Sequence, residues 1–366
     1  MKIKIITCSR AYNLGAVLQT YALQKYLLSL NFDTEVIDYN PDYFRKNVSY
    51  TYVGSFKDRN KLLQLGYILY KLPQRFIDHY IFKSFLRKFI RKTNEYRSFT
   101  ELCKANLKAD IFICGSDQIW CPTKPTGKDE AMYLRFVENA KKISYAASFG
   151  ETSMEKDFLD SLKNHLDDFS FISVRENSGV DMLKLIGIDA VQVLDPVFLL
   201  SSHHWELFSR ISNRYKKYNN YVLVYPMSVT DIAFIVDFAQ EIARKTNNSI
   251  VVIGKNKPKQ DYYQVNNATP QDFVSLIKHA SYIVTNSFHA TAFSIIFNKD
   301  FFICGKEAIP NTRINSLLEL THLSERYINV EKHKLTYEKI KYELVNPILK
   351  DALSSSKFFL NSVTNL

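Results

Sequence analysis

The sequence predicts an α/β protein of two Rossmann-like domains facing a cleft. Three observations lead there. Short apolar strands alternate with helix-length segments along most of the chain, which is the rhythm of a parallel sheet. The rhythm runs twice, with a break near Asp195-Pro196. A length of 366 residues also exceeds one ordinary core and favours about two domains.

The elements follow in order. Residues 2–8 read as the first strand. Residues 15–30 read as a helix, because Leu18, Ala22 and Tyr26 recur every four residues and Leu23, Leu27 and Leu30 widen that face. Residues 34–39 form the next strand, closed by Asn40-Pro41. Residues 110–114, 143–148, 171–174 and 191–194 are short apolar strands, with a helix near 178–186. The second half repeats the pattern, with strands at 221–225, 249–253, 282–285 and 301–304. Helices fit near 231–245, 271–278, 289–297 and 313–320. Residues 335–366 are helical at first and then fray. Residues 45–100 are basic, aromatic and helical, and read as an insertion in the first domain. The expected division is 1–197, with that insertion, and 198–366, with the C-terminal helices. In open parallel sheets ligands sit at the carboxyl ends of strands, so each domain would offer one wall of the cleft.

Composition narrows the function. The net charge is +11, which favours an anionic substrate or surface. No nucleic-acid motif accompanies it, so nucleic acid is not expected as a partner. The start "MKIKIITC" reads as a strand and not as a signal peptide. No stretch reaches the roughly 18 apolar residues of a membrane span. Five cysteines without a CxxC pair read as buried reduced thiols of a cytosolic protein. GxGxxG, P-loop, HExxH and zinc-spaced Cys/His patterns are absent, as is the DxD of many sugar transferases. The expected chemistry therefore uses no metal and no cofactor.

Four strand ends carry polar residues that could meet in a cleft. The first is "NLGAVLQ" from Asn13, with Gly15, where a strand turns into a helix. The second is "CGSDQIW", carrying Asp117. The third is "SVRE", carrying Arg175. The fourth is "TNSFHAT", carrying Ser287 and His289. Each also has a plain reading: a tight turn at Asn13-Leu14-Gly15, a helix cap at Asp117, a solvated ion pair at Arg175, and a satisfied core histidine at His289. Their shared place at strand carboxyl ends favours a site.

The chain resembles the polysaccharide pyruvyl transferase family. The resemblance rests on "ITCSRAYNLGAVLQTYALQKYL", "FICGSDQIW", "YAASFG", "SVRENSG", "VLDPVFLL" and "TNSFHATAFSIIFNKDF", which follow in the family's order over about residues 1–325. It implies a fold similar to the GT-B glycosyltransferases. It also implies phosphoenolpyruvate as donor, a pyruvate ketal on a sugar as product, and a role in surface polysaccharides such as exopolysaccharide and capsule. In the family an aspartate, the arginine of S-x-R-[DE] and an Arg-x-His pair line the donor site. These carry over to Asp117, Arg175 and His289. Ser287 stands where the arginine of Arg-x-His is expected, and Arg313 in "PNTRINSLL" is the substitute candidate. Asn13, Gly15 and Ser287 complete the expected donor-binding set.

The donor carries a carboxylate and a phosphate, and guanidinium matches both bidentately. Ketal formation needs a proton on C3, a role that suits His289, and a base such as Asp117 for the attacking hydroxyl. A helix starting just after Ser287 would aim N–H groups at the phosphate. Two other readings compete. One is a GT-B glycosyltransferase using a nucleotide sugar. The other is a non-catalytic binding protein of a polysaccharide assembly complex, favoured by the lost arginine. The acceptor is expected to be a lipid-linked or nucleotide-linked sugar.

Residues 76–92, "FIDHYIFKSFLRKFIRK", read as a basic amphipathic helix. Ile77, Ile81, Phe85 and Phe89 form its stripe, and Phe82, Leu86 and Ile90 widen it. Such a stripe either packs on the first domain or makes a weak, peripheral contact with the inner face of the membrane.

Overall fold

A computed structural model describes residues 1–54, 57–209, 215, 217–227, 232–254, 262–307, 309–329 and 338–364. They form two compact units. The first comprises Met1–Phe149 and Glu155–Ser173, and the second Gly150–Met154 and Val174–Leu366.

In the first unit, β1 (Lys2–Ile6), β2 (Asp33–Tyr39), β3 (Lys92–Tyr96), β4 (Ile111–Cys114) and β5 (Lys141–Ser144) make one parallel sheet of order β3-β2-β1-β4-β5. Its inner strand β4 is apolar on both faces, as flanking crossover helices require, while β1 and β2 also bury Lys4, Thr34 and Asp38. Helix α1 (Leu14–Ser29) is buried along most of its length. Helices α2 (Asp42–Asn47), α3 (Lys61–Phe89), α4 (Phe99–Ala105) and α5 (Lys156–Leu166) complete the unit. The segment 45–100 is thus not wholly a helical insertion. It holds the 29-residue α3, but Lys92–Tyr96 is the edge strand of the sheet. That strand, "KTNEY", has no buried residue, so it lacks the apolar run that marks a strand.

The chain passes into the second unit at β6 (Ser173–Val174). There the carbonyl of Val174 accepts the N–H of Val193, just after β7 (Val191–Gln192), at 2.9 Å. Helices α6 (Asn177–Leu185) and α7 (Ser202–Phe208) precede the main sheet. That sheet contains β8 (Tyr221–Tyr225), β9 (Ser249–Ile253), β10 (Tyr263–Val265), β11 (Tyr282–Thr285), β12 (Asp300–Gly305) and β13 (Tyr327–Asn329), all parallel, in the order β10-β9-β8-β11-β12-β13. The helices of this sheet are α8 (Ile232–Thr246), α9 (Pro270–His279), α10 (Phe288–Ile296), α11 (Thr312–Leu320) and α12 (Tyr342–Thr364). Val222, Val224, Ile235, Ile242, Val252, Val284 and Phe302 form a core between sheet and α8. Asp231, the expected start of α8, lies outside the described residues, as do 335–337 and 365–366. α12 does not fray after its first turns. Leu360 and Val363 are buried near its end and hold it helical to Thr364, despite Pro347.

Both sheets share one order. In each, the first strand lies between the second and the fourth, so the winding reverses between β1 and β4 and again between β8 and β11. Such switch points open a crevice at the carboxyl ends of strands. Residues 174–197, expected in the first domain, pack with the second unit. Leu194 N–H donates to Ser356 Oγ of α12 at 2.9 Å, and Pro196–Leu199 is a buried turn against α10 and α12.

Cys8, Cys114, Cys121 and Cys304 are buried cysteines outside any disulfide, whereas Cys103 is exposed on α4. Burial pushes the thiols of Cys114 and Cys304 up, which leaves them protonated and poor nucleophiles. Among the described residues no helix is long and apolar enough to cross a membrane.

Candidate active site

In the second unit the site grows from β11 into α10. Ser287 is the N-cap of α10. Its Oγ faces the N–H of Ala290 at 3.5 Å, and its own N–H donates to Thr285 Oγ1 at 3.0 Å. The serine that replaces the expected arginine therefore has a local task that arginine could not perform. Phe288 to Ile295 are all buried, so α10 is a core helix. Trp205 packs edge-on against its Phe293, with ring centroids 4.9 Å apart. His289 is held in the first turn of this rigid element.

Arg175 emerges from β6, and Asp195 follows β7. Arg175 Nη1 donates to Asp195 Oδ2 at 2.7 Å. The same oxygen lies 3.7 Å from His289 Nε2. Asp195 Oδ1 accepts the N–H of Val197 at 3.1 Å, which fixes the carboxylate from its other side. The Arg175 guanidinium lies over the Phe288 ring, 4.4 Å from its centroid. Arg175, Asp195 and His289 are only 4, 1 and 6% exposed. Arg175 is thus not on a solvated edge, and Asp195 is its buried carboxylate partner, while Glu176 Oε1 accepts the N–H of Gly150 at 3.0 Å. A buried ion pair is a costly route to stability, because desolvation offsets its attraction. Three ionisable groups converging at a strand end are better explained by chemistry.

Arg313 is half-buried at the second position of α11, capped by Asn311. α11 packs on both α6 and α10. Ser316 Oγ of α11 accepts from Asn177 N–H at 3.1 Å and from Gln192 Nε2 at 2.8 Å. A cavity of about 270 Å³ opens at the carboxyl ends of β11 and β12, lined by Asn286, Gly305, Lys306, Asn311, Ile314 and Tyr327 among others. Asn286 and Asn311 directly precede Ser287 and Thr312, so the cavity adjoins the starts of both helices.

In the first unit, Asn13 is the N-cap of α1 and accepts the N–H of Ala16 at 3.1 Å. Asn13-Leu14-Gly15 is therefore a helix start rather than a free turn, and Gly15 is buried within α1. Asp117 starts no helix. It takes φ +77°, its carbonyl accepts the N–H of Ser148 at 3.0 Å, and its Oδ1 accepts the N–H of Gln118 at 2.9 Å. Asn13 and Asp117 follow β1 and β4, the two strands that flank the switch point of this sheet. Ser287 and His289 follow β11, which flanks the switch point of the other. Among the described residues no group of three or more His, Cys, Asp or Glu is placed to hold a metal ion.

Sequence reasoning missed Asp195 as a site residue. "VLDPVFLL" marks a chain turn, and nothing near it in sequence announces Arg175 or His289 as neighbours. A charged residue between apolar runs, directly before proline, was the available signal.

The model of the polysaccharide pyruvyl transferase family matches residues 13–305. The chain belongs to that family. It is therefore a transferase, acting generally in polysaccharide pyruvylation. No curated protein matches it in sequence. Among solved structures, UDP-GlcNAc 2-epimerase from Methanocaldococcus jannaschii aligns at 12% identity with a TM-score of 0.55, over 100% of both chains. UDP-GlcNAc 2-epimerase from Neisseria meningitidis, bound to UDP-GlcNAc, aligns at 11% identity with a TM-score of 0.52, again over 100% of both. MnaA from S. aureus, solved with UDP, aligns at 12% identity and 0.53, covering 94% of this chain and 86% of the other. These similarities establish the fold as GT-B-like.

Proposed function

We propose that this pyruvyl transferase takes its pyruvyl group from phosphoenolpyruvate and closes it as a ketal on two hydroxyls of a sugar, in surface-polysaccharide synthesis. The observation that carries the reading is the buried Arg175–Asp195–His289 cluster at the start of α10. It joins a cation suited to the donor's acidic groups with a proton donor held in register.

His289, as imidazolium, gives a proton to C3 of the enol, and C2 becomes electrophilic. A sugar hydroxyl attacks C2, and Asp117 is proposed to take its proton. The C2–O bond to phosphate breaks, and the phosphate leaves with the electron pair. A second hydroxyl then adds to C2, and its proton passes to the departing phosphate. Asp195 acts on His289 as a positioning residue, since the oxygen that binds Arg175 also lies 3.7 Å from the ring Nε2. Arg175 orients the donor, and Arg313 supplies further positive charge from α11. Ser287, Asn13 and Gly15 act through the helix starts they form. The donor is a substrate, and no other cofactor enters the proposal.

The acceptor is a lipid-linked or nucleotide-linked sugar. The buried cysteines outside any disulfide agree with a reducing compartment, so we place the reaction in the cytoplasm. Incubation with phosphoenolpyruvate and candidate sugars, read by mass spectrometry and by phosphate release, tests the function. A ketal adds the mass of pyruvate minus water. His289→Ala should lower turnover about 100- to 10,000-fold while leaving the fold intact by circular dichroism. Turnover near the parent level in that folded variant rejects the acid role. Absence of donor consumption with every sugar tried rejects the reaction.

A further inference from the structure

The amphipathic stripe of residues 76–92 divides on α3. Its C-terminal part is core. Phe82 stacks on Tyr12 with centroids 4.8 Å apart, and Phe85 and Phe89 meet Tyr21 edge-on at 6.4 and 6.2 Å. Phe82, Phe85, Leu86 and Ile90 are buried. These rings cannot reach a membrane.

The opposite side of the same helix is uncovered. At about 100° per residue, Leu62, Leu65, Leu69, Tyr70, Pro73, Phe76, Ile77 and Tyr80 fall in one sector. All eight are exposed: Leu62 by 78%, Leu69 by 60%, Tyr70 by 72%, Phe76 by 54% and Tyr80 by 72%. No charged residue enters that sector over five turns. Lys61, Lys71, Arg75, Asp78 and His79 point elsewhere, and Arg75 is engaged by the carbonyls of Tyr50 and Tyr52. Beyond Tyr80 the same sector turns cationic with the exposed Lys83, Arg87 and Lys88. A patch this long and apolar calls for an occupant.

We infer that this outer face of α3, from Leu62 to Lys88, lies in the interface of an anionic lipid bilayer. Charge decides the occupant. The apolar run carries tyrosines and a phenylalanine, side chains that favour the headgroup boundary, and it continues into three cations facing the same way. A second copy of the chain fits less well. Parallel pairing would set the three cations against their own copies. The apolar run is only about 27 Å long, so one such helix face buries well under the roughly 1,200 Å² total of a stable dimer.

The inference does not depend on the pyruvyl-transfer reading, and its test needs no turnover. The full chain is sedimented with phosphatidylcholine vesicles, with and without phosphatidylglycerol, over a range of salt. Binding to the anionic vesicles is expected, fading with salt. Lys83→Gln, Arg87→Gln and Lys88→Gln together should weaken it on the order of a hundredfold, since each cation contributes about fivefold. Leu69→Ser, Phe76→Ser and Tyr80→Ser together should abolish it. Circular dichroism confirms that both variants stay folded, as substitutions on this uncovered face should allow. Three outcomes overturn the inference: no binding at low salt, equal binding by parent and both variants, or a dimer in light scattering that the serine variant dissolves while vesicles are ignored.

Discussion

At the scale of the residue, one side chain changes the account of the site. Asp195 links Arg175 and His289 through a single carboxylate oxygen, and its other oxygen is held by the N–H of Val197. Arg175 is therefore fixed by a partner and by the Phe288 ring before any donor arrives. That arrangement separates the charge of the residue from its shape. In Arg175→Lys a cation remains to face Asp195, so the fold should survive, but the planar fork is lost. The Michaelis constant for phosphoenolpyruvate should rise about tenfold, the equivalent of about 1.4 kcal/mol, with a smaller effect on turnover at saturation. Steady-state kinetics check this, and an unchanged constant removes Arg175 from donor binding. Arg175 and His289 were legible from their places in "SVRE" and "TNSFHAT". Asp195 was not, because its partners are 20 and 94 residues away along the numbering of the chain, and only folding brings them to one point.

At the scale of the element, the apolar strands were readable and the edges were not. β1, β4, β8, β9 and β11 declare themselves by buried Ile, Val, Phe and Leu. β3, β10 and β13 are short edge strands of mixed polarity, and local pattern says little about them. β3 is joined to the sheet by charge as well as by its backbone. Asp38 of β2, only 2% exposed, accepts from Arg10 at 2.5 and 2.7 Å and from Lys92 of β3. Burial alone would raise the Asp38 carboxyl. The hydrogen bonds from Arg10 and Lys92 outweigh it and hold the carboxyl below its ordinary 3.8. The folded value is depressed, so this contribution to stability is present above pH 3.8 and is lost as pH falls through the folded value. Asp38→Asn should cost about 2 kcal/mol at neutral pH, because Lys92 loses its carboxylate and Arg10 keeps only Glu95, at 2.9 Å. Urea midpoints should converge for parent and variant as pH drops below 3.8. A difference that persists undiminished in acid would show that the loss is steric.

At the scale of the whole molecule, ligand binding is the cleanest readout. A ligand that binds only the folded chain raises its stability by about 2.7 kcal/mol at a hundredfold excess over its dissociation constant. Phosphoenolpyruvate should therefore raise the melting temperature, and UDP-sugars should do so only as acceptors, leaving the phosphoenolpyruvate shift in place. Protection by a nucleotide sugar alone would favour the glycosyltransferase reading. The sequence by itself determined the α/β class, the doubled rhythm, the central strands and the strand ends that carry Asn13, Asp117, Arg175 and His289. It could do so because burial in a parallel sheet writes a local, periodic pattern of apolar residues. Only the tertiary structure decided the rest: that residues 174–197 pack with the second unit, that 92–96 is a strand, that Asp195 stands between Arg175 and His289, and that α3 hides one apolar face and bares another. Each of these is a contact between residues far apart in the chain, or a choice between two faces of one helix. No local pattern encodes which partner arrives.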